Sequence, residues 1–257
     1  MLVNYHTHTF RCKHATGTER EYVEAAIQNG FQVLGFSDHT PYPFPNDEEY
    51  RQIFMKMEDL EEYADTILRL KEEYRKDIEI HLGLEVEYYP RYFGKLLERV
   101  RELPIEYFIL GQHALGSGER TEVYSGEKTT EVMRLKRYCD QVIEAMETGS
   151  YTYFAHPDVF HFAGDMEVYD REIRRLCRVS KIQKVPLEIN FLGIRENRFY
   201  PYQAFWKIAG DEGCEVVFGV DAHSPEAFCV QEALAKANAL VEQYGLKHTE
   251  NIVLRRP

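Results

Sequence analysis

Asn4-Tyr5-His6-Thr7-His8 closes the first apolar run of the chain. Leu2, Val3 and Tyr5 favour extended backbone, and in a strand residues two apart project to the same side. His6 and His8 then share a face, and their imidazoles converge where a metal ion can sit. A His-x-His pair alone is a weak signal, because short motifs recur without function. Its weight comes from what the rest of the chain sends to the same place.

Outward from that stretch, a short apolar run followed by a helical pattern repeats seven times. Strand one, Leu2 to His8, is followed by Thr18-Glu19-Arg20-Glu21, a capping-box spacing that opens an amphipathic helix ending before Gly30. Strand two is Val33 to His39, closed by a turn with Pro41, Pro43 and Pro45. From about Met57 to Lys76, Leu60, Ala64, Ile67, Leu68 and Tyr74 recur at helical spacing, with Glu61, Glu62, Glu72 and Glu73 expected to be only a solvated face. Strand three, Ile78 to Tyr88, alternates so that His81, Gly83, Glu85 and Glu87 face one side. Strands four to seven are Tyr107 to His113, Thr152 to His156, Pro186 to Asn190 and Glu215 to His223. Helices fall near Pro90 to Leu103, Thr129 to Glu147, Glu167 to Lys184, around Trp206, and from Ser224 or Pro225 to Gln243. Arg255-Arg256-Pro257 reads as a frayed end.

This rhythm predicts an α/β fold, one domain over residues 1–257, closed as a barrel of alternating strands and helices. In such barrels functional groups sit at the carboxyl ends of the strands and in the loops that follow. His6, His8, His39, Glu85, His113, His156, Asp221 and His223 all fall there, with His14 in the first loop. A single strand histidine is usually a hydrogen-bonded core or cap residue. Seven of the ten histidines at one end of one barrel are a different matter, since without metal they repel or force one another neutral. The convergence points to a metal cluster. His81, early in its strand, and His248, near the terminus, fall outside the set, as does His161.

Composition narrows the rest. Five scattered cysteines without a Cys-x-x-Cys spacing suggest neither a disulfide framework nor a thiolate zinc site, and a reducing cytoplasm fits them. Cys12, between ligands, lacks a thiolate partner set. No signal pattern opens the chain and no apolar run is long enough to span a bilayer. With a net charge of −12 and no basic block, extended nucleic acid is not the expected partner. A small substrate is, and bound cations draw phosphate locally whatever the global charge. Oligomeric state is left open.

His6-Thr7-His8-Thr9-Phe10-Arg11-Cys12-Lys13-His14, Ser37-Asp38-His39, Gly83-Leu84-Glu85-Val86-Glu87-Tyr88, His113, Ala155-His156-Pro157 and Gly219-Val220-Asp221-Ala222-His223 together resemble the polymerase and histidinol phosphatase (PHP) family of metallophosphoesterases. The likeness runs from the first strand to the last. The segment from Glu58 to Tyr74, leading into Gly83-Leu84-Glu85, resembles the histidinol phosphatase branch. Leu110-Gly111-Gln112-His113, and Asp158-Val159-Phe160-His161 where a basic residue follows the fifth-strand histidine elsewhere, depart from that pattern.

The resemblance implies a distorted seven-stranded, TIM-like barrel and three divalent transition metals. His6, His8, Glu85 and Asp221 would hold the first, and Glu85 would bridge to a second held by His113 and His156. His14, His39 and His223 would hold the third. Mixed nitrogen and oxygen ligands suit Zn, Fe or Mn. The implied reaction is hydrolysis of a small phosphate monoester by a metal-bridging hydroxide, with L-histidinol phosphate of histidine biosynthesis as the substrate. Nucleotides or other small phosphates are the alternative substrates, and an inactive accessory module is the alternative role. Asp38 is expected to support His39. A metal-bound water, His39 and Asp221 are the candidates for protonating the leaving group, and the sequence does not choose among them. Arg195, just past strand six in a motif resembling the branch's Gly-Leu-Arg, is expected to clamp two phosphate oxygens, or else to pair with Glu196. His161 and Arg120 are further candidates for holding the substrate.

Overall fold

The computed structural model describes residues 2–42, 44, 54–116 and 123–257. In chain order the elements are β1 (Val3–Asn4), α1 (Glu19–Gln28), β2 (Val33–His39), α2 (Leu60–Glu73), β3 (Glu79–Val86), α3 (Pro90–Val100), β4 (Tyr107–Leu110), β5 (Ala114–Leu115), β6 (Val123–Tyr124), α4 (Val132–Glu147), β7 (Tyr151–Phe154), α5 (Met166–Gln183), β8 (Leu187–Asn190), α6 (Phe191–Arg195), α7 (Gln203–Glu212), β9 (Glu215–Gly219), α8 (Gln231–Tyr244) and β10 (Lys247–His248). The sheet runs β1-β2-β3-β4-β7-β8-β9-β10, and β5 with β6 forms a separate antiparallel hairpin. All seven expected strands are present, and β10 adds an eighth.

The sheet curls on itself, but its seam is split. β10 pairs with the start of β9, Lys247 opposite Glu215. Past the end of β9, the same edge is taken by the segment after β1, where Thr7 pairs with Ala222. His8 N–H donates to Ala222 O at 2.9 Å and Ala222 N–H to His6 O at 3.2 Å. The barrel is thus closed at the carboxyl ends of its strands and distorted below.

β1 is shorter than the predicted strand because Asn4 takes over its ladder. Its Oδ1 accepts the Val220 N–H at 2.9 Å, and its Nδ2 donates to His6 O at 3.2 Å and Thr7 Oγ1 at 2.8 Å. A side chain doing the work of a strand satisfies buried backbone groups while freeing the chain to turn its histidines inward.

The barrel interior is filled by Tyr5, Tyr107, Ile109, Tyr153, Ala155 and Val217. A second, larger cluster packs the helices on the outer face of the sheet. The capping box at Thr18 and Glu21 opens α1 as the spacing predicts. The chain's end is not frayed. Ile252 and Leu254 pack on the interior cluster, and the Arg255 guanidinium donates to Gln183 O and Lys184 O, both at 2.6 Å. Those are carbonyls at the end of α5, which lack intrahelical donors. None of the described helices is long and apolar enough to cross a membrane.

Candidate metal centre and its cleft

The carboxyl ends of the strands bring all nine predicted ligands together. His6 Nε2 and His8 Nε2 stand 3.1 Å apart, with Asp221 Oδ1 at 3.5 Å and 3.3 Å from them. Glu85 Oε1 lies 2.8 Å from His156 Nε2 and 3.5 Å from His113 Nε2, while its Oε2 lies 3.0 Å from His39 Nδ1. His14 Nε2 and His223 Nε2 are 2.9 Å apart. Gly111 and Gly219 make room, since a Cβ at the first would strike Glu85 and at the second Glu188. His156 and Asp221 adopt positive φ, 32° and 51°, a strained conformation of the kind that clusters at functional sites.

The far side of each ring fixes which nitrogen is free. His6 Nδ1 lies 2.8 Å from Glu188 Oε1, and a carboxylate only accepts, so Nδ1 carries a proton and Nε2 is the nitrogen left for a metal or a second proton. His8 Nδ1 faces Asp38 Oδ1 at 3.4 Å, so His8 Nε2 meets that of His6. His14 Nδ1 donates to Cys12 O at 2.7 Å and His223 Nδ1 lies 3.3 Å from Asp221 O, which sets two more such nitrogens face to face. Lone pairs at such distances repel unless a proton or a cation lies between them. Glu85 Oε2, Asp221 Oδ1, His39 Nδ1 and His156 Nδ1 are also buried without a hydrogen-bond partner. Among the sets whose ligand atoms lie within 4.8 Å of one another are His6, His8 and Asp221; His6, Glu85 and His156; and His8, His39 and His223. The residues fit divalent metals.

Electrostatics tell the same story. Burial opposes charge on His6, yet Glu188, Asp221 and Glu85 outweigh it and hold its pKa well above the usual value. His8, likewise buried but close to Asp221 and Asp38, is raised to about 9. Burial and His8 push His39 down to about 3 and hold His223 well below its ordinary value. Glu85 and Asp221 resist burial and stay well below the carboxylate range because histidines surround them. Protons stand where the carboxylates call for positive charge.

Several expectations are corrected by the packing. Asp38 backs His8 rather than His39, from which it accepts only the backbone N–H, at 2.8 Å. Glu62 is more than solvated face. Its Oε2 binds Arg11, whose buried guanidinium also binds Glu19 and Thr9, and Thr9 in turn donates to Asp38. Cys12, set aside in the sequence, falls among ligand atoms of His14 and His223, and burial holds it as a protonated thiol. Arg195 neither lines the cleft nor pairs with Glu196; it donates to Val220 O, Ala227 O and Asp221 O at 3.0, 3.5 and 3.4 Å. His161 stacks on Phe199, ring centroids 4.0 Å apart. Arg120 lies outside the described residues. His81 is held between Glu79 and Glu106, and His248 stacks on Phe218, neither in the cluster.

A cleft of about 350 Å³ opens over the cluster, its other walls being Tyr124, Val159, Leu192, Glu196, Arg198 and Tyr200. Arg198 is the one arginine or lysine among its described walls, bound to Glu196 Oε2 at 2.8 and 2.6 Å and to Tyr200 Oη at 3.0 Å. Sequence reasoning missed Arg198, Glu188 and Glu87, the last 3.1 Å from His113 Nδ1. For Glu188 a signal existed: a lone acid inside the apolar run Leu187-Glu188-Ile189 is costly to bury unless it has donors to serve.

Residues 4–191 match the family model described as PHP domain. The chain belongs to the PHP family. Among PHP relatives, a probable histidinol-phosphatase of Deinococcus radiodurans is 30% identical over 230 residues, 87% of each chain. A histidinol-phosphatase of Lactococcus lactis is 25% identical over 263 residues, 95% of this chain and 91% of the other. The Lactococcus lactis histidinol phosphate phosphatase, solved in complex with Zn, L-histidinol and phosphate, superposes with a TM-score of 0.72 at 20% identity, covering 96% of this chain and 94% of that one. A putative histidinol phosphatase of Listeria monocytogenes gives the same TM-score over 90% of this chain and 99% of the other, also at 20% identity. These structures establish the PHP-type curled α/β barrel.

Proposed function

We propose that this chain is a metal-dependent phosphatase that hydrolyses L-histidinol phosphate to L-histidinol and phosphate, a step of histidine biosynthesis. The reading is carried by one coincidence: a mostly buried cluster of facing imidazoles and carboxylates shares a cleft of about 350 Å³ with the Arg198 guanidinium. The Deinococcus and Lactococcus relatives, which are named for this reaction, support it, as does the Lactococcus complex with Zn, L-histidinol and phosphate. Five free cysteines support a reducing, cytoplasmic setting, and the reading takes residues 1–257 as one domain.

Three divalent ions, Zn, Fe or Mn, are the proposed cofactors. His6, His8, Glu85 and Asp221 would hold the first, Glu85, His113 and His156 the second, and His14, His39 and His223 the third. Such ions supply positive charge for phosphate oxygens and acidify water near neutral pH.

The remaining work falls to the chain. Arg198 spends its Nε–H and one terminal N–H on Glu196 and another on Tyr200. One N–H on each terminal nitrogen remains for two phosphate oxygens, the role the sequence had suggested for Arg195. Asp221 and His39, the side-chain candidates for the leaving group's proton, are taken up as metal ligands in this reading, which leaves water in the cleft as the proton source.

Stripping with a chelator should abolish hydrolysis of L-histidinol phosphate, and a divalent metal should restore it. Arg198→Met should lower kcat/KM roughly 10²-fold at unchanged metal content. Metallated protein that spares L-histidinol phosphate and cleaves nucleotides would displace the substrate. Metallated protein that cleaves no monoester would leave only a binding module.

A further inference from the structure

We propose that Tyr124 selects for a ring-bearing ester by stacking on the substrate's heteroaromatic ring, an inference that rests on the phosphatase reading above. Seven large apolar side chains are exposed among the described residues, and Tyr124, at 51%, is the one that lines the cleft. The other apolar walls are unsuited to stacking: Val159 and Leu192 are aliphatic, and Tyr200 is buried with its hydroxyl engaged by Arg198.

The ring is presented on a backbone fixed from several sides. β5 and β6 pair Ala114 with Tyr124, directly after the ligand His113. The next residue, Ser125, donates its N–H to His113 O at 2.7 Å and its hydroxyl to Gln112 O at 2.9 Å. Its carbonyl accepts the His161 N–H at 3.0 Å. The Tyr124 ring itself lies against the bare backbone of Gly126, where any Cβ would strike Cε1. An exposed aromatic held this way loses little freedom when a ligand covers it, so its stacking surface is available at small entropic cost.

Arg198 and Tyr124 line the same cleft, so one small molecule can place a phosphate against the guanidinium and a ring against the tyrosine. An imidazole suits that ring in either protonation state, by offset stacking when neutral and by cation–π attraction when charged. A chain with no ring in that position gains nothing from Tyr124.

The test compares kcat/KM for L-histidinol phosphate with that for alaninol phosphate, the same amino-alcohol ester with a methyl group in place of the imidazolylmethyl. Wild type should prefer the ring-bearing ester, Tyr124→Leu should lower that preference about tenfold, and Tyr124→Phe should keep it. Calorimetric titration with L-histidinol should show the same pattern in affinity. An unchanged preference in Tyr124→Leu, or a wild type indifferent to the ring, overturns the proposal. A metallated wild type that cleaves neither ester takes down the phosphatase reading together with it.

Discussion

Replacing Glu188 by Gln keeps the shape of a fully buried side chain and removes one acceptor. Oε1 of Glu188 takes the proton of His6 Nδ1 at 2.8 Å, while Oε2 takes the His156 N–H at 3.0 Å and Asn190 Nδ2–H at 2.9 Å. A carboxamide cannot serve all three. With its carbonyl toward His6, the NH2 confronts two donors; turned over, it faces His6 Nδ1–H. The first orientation strands His156 and Asn190, and each buried donor left unpaired costs about 1–3 kcal/mol. The second drives His6 into its other tautomer and puts a proton on Nε2, the atom that should ligate. Loss of the charge acts in the same direction, because Glu188 heads the carboxylates that raise His6 against the pull of burial. Partners behind a ligating histidine typically change metal affinity by about 10–100-fold, or roughly 1.4–2.8 kcal/mol, in line with the hydrogen-bond estimate. Competitive titration of zinc against a chromophoric chelator, with circular dichroism to show the fold intact, measures this. A well-folded Glu188→Gln variant with zinc affinity within about twofold of wild type would refute the argument.

Glu62→Gln should weaken the Arg11 clamp and lower stability by about 0.5–1 kcal/mol, the Glu62 side of the pair being largely solvent-exposed, while Glu72→Gln on the same helix should change little; equal urea midpoints for the two variants would return Glu62 to the solvated face. Asp158 Oδ2 accepts from Tyr202 N–H at 2.7 Å and Trp206 Nε1–H at 2.8 Å, and burial raises its pKa from 3.8 to about 7. A raised folded-state pKa gives stability that is intact below the unfolded value and lost as pH climbs through the folded one, here between 3.8 and about 7. Asp158→Asn escapes that loss, so its stability should gain on wild type between about pH 5 and pH 7, by at most roughly 3 kcal/mol. Parallel pH profiles of the two thermal midpoints would contradict it.

What was legible in the sequence is what a strand or helix expresses locally. Alternation put Glu85 on the inner face of β3, the His-x-His spacing brought His6 and His8 together, and Thr18 with Glu21 announced α1. What was not legible depends on which strands become neighbours. Adjacency in sequence points Asp38 to His39. β1 pairs with β2 so that Asn4 lies opposite Leu34, and that register continues through Thr7 and Ser37 to bring His8 beside Asp38. A carboxylate's partner is thus set across the sheet, while its neighbour in sequence receives only a backbone bond.

Arg195 and Arg198 show the same limit on a finer scale. α6 is five residues long and ends at Arg195, too short for periodicity to indicate which way either guanidinium turns. Arg195 is drawn to a different need. Beyond β9 the chain leaves its ladder and Asp221 takes a positive φ, so the carbonyls of Val220 and Asp221 require other donors. The Arg195 guanidinium supplies them and reaches Ala227 O besides. Its contribution to the centre is made through the backbone that aims Asp221, and the cation facing the cleft is the one three residues on. Burial lowers the pKa of Arg195, with Asp221 opposing, which marks a group partly withdrawn from water. Arg198, where Glu196 and Tyr200 outweigh burial and raise it, stays in the cleft wall where a dianion would meet it.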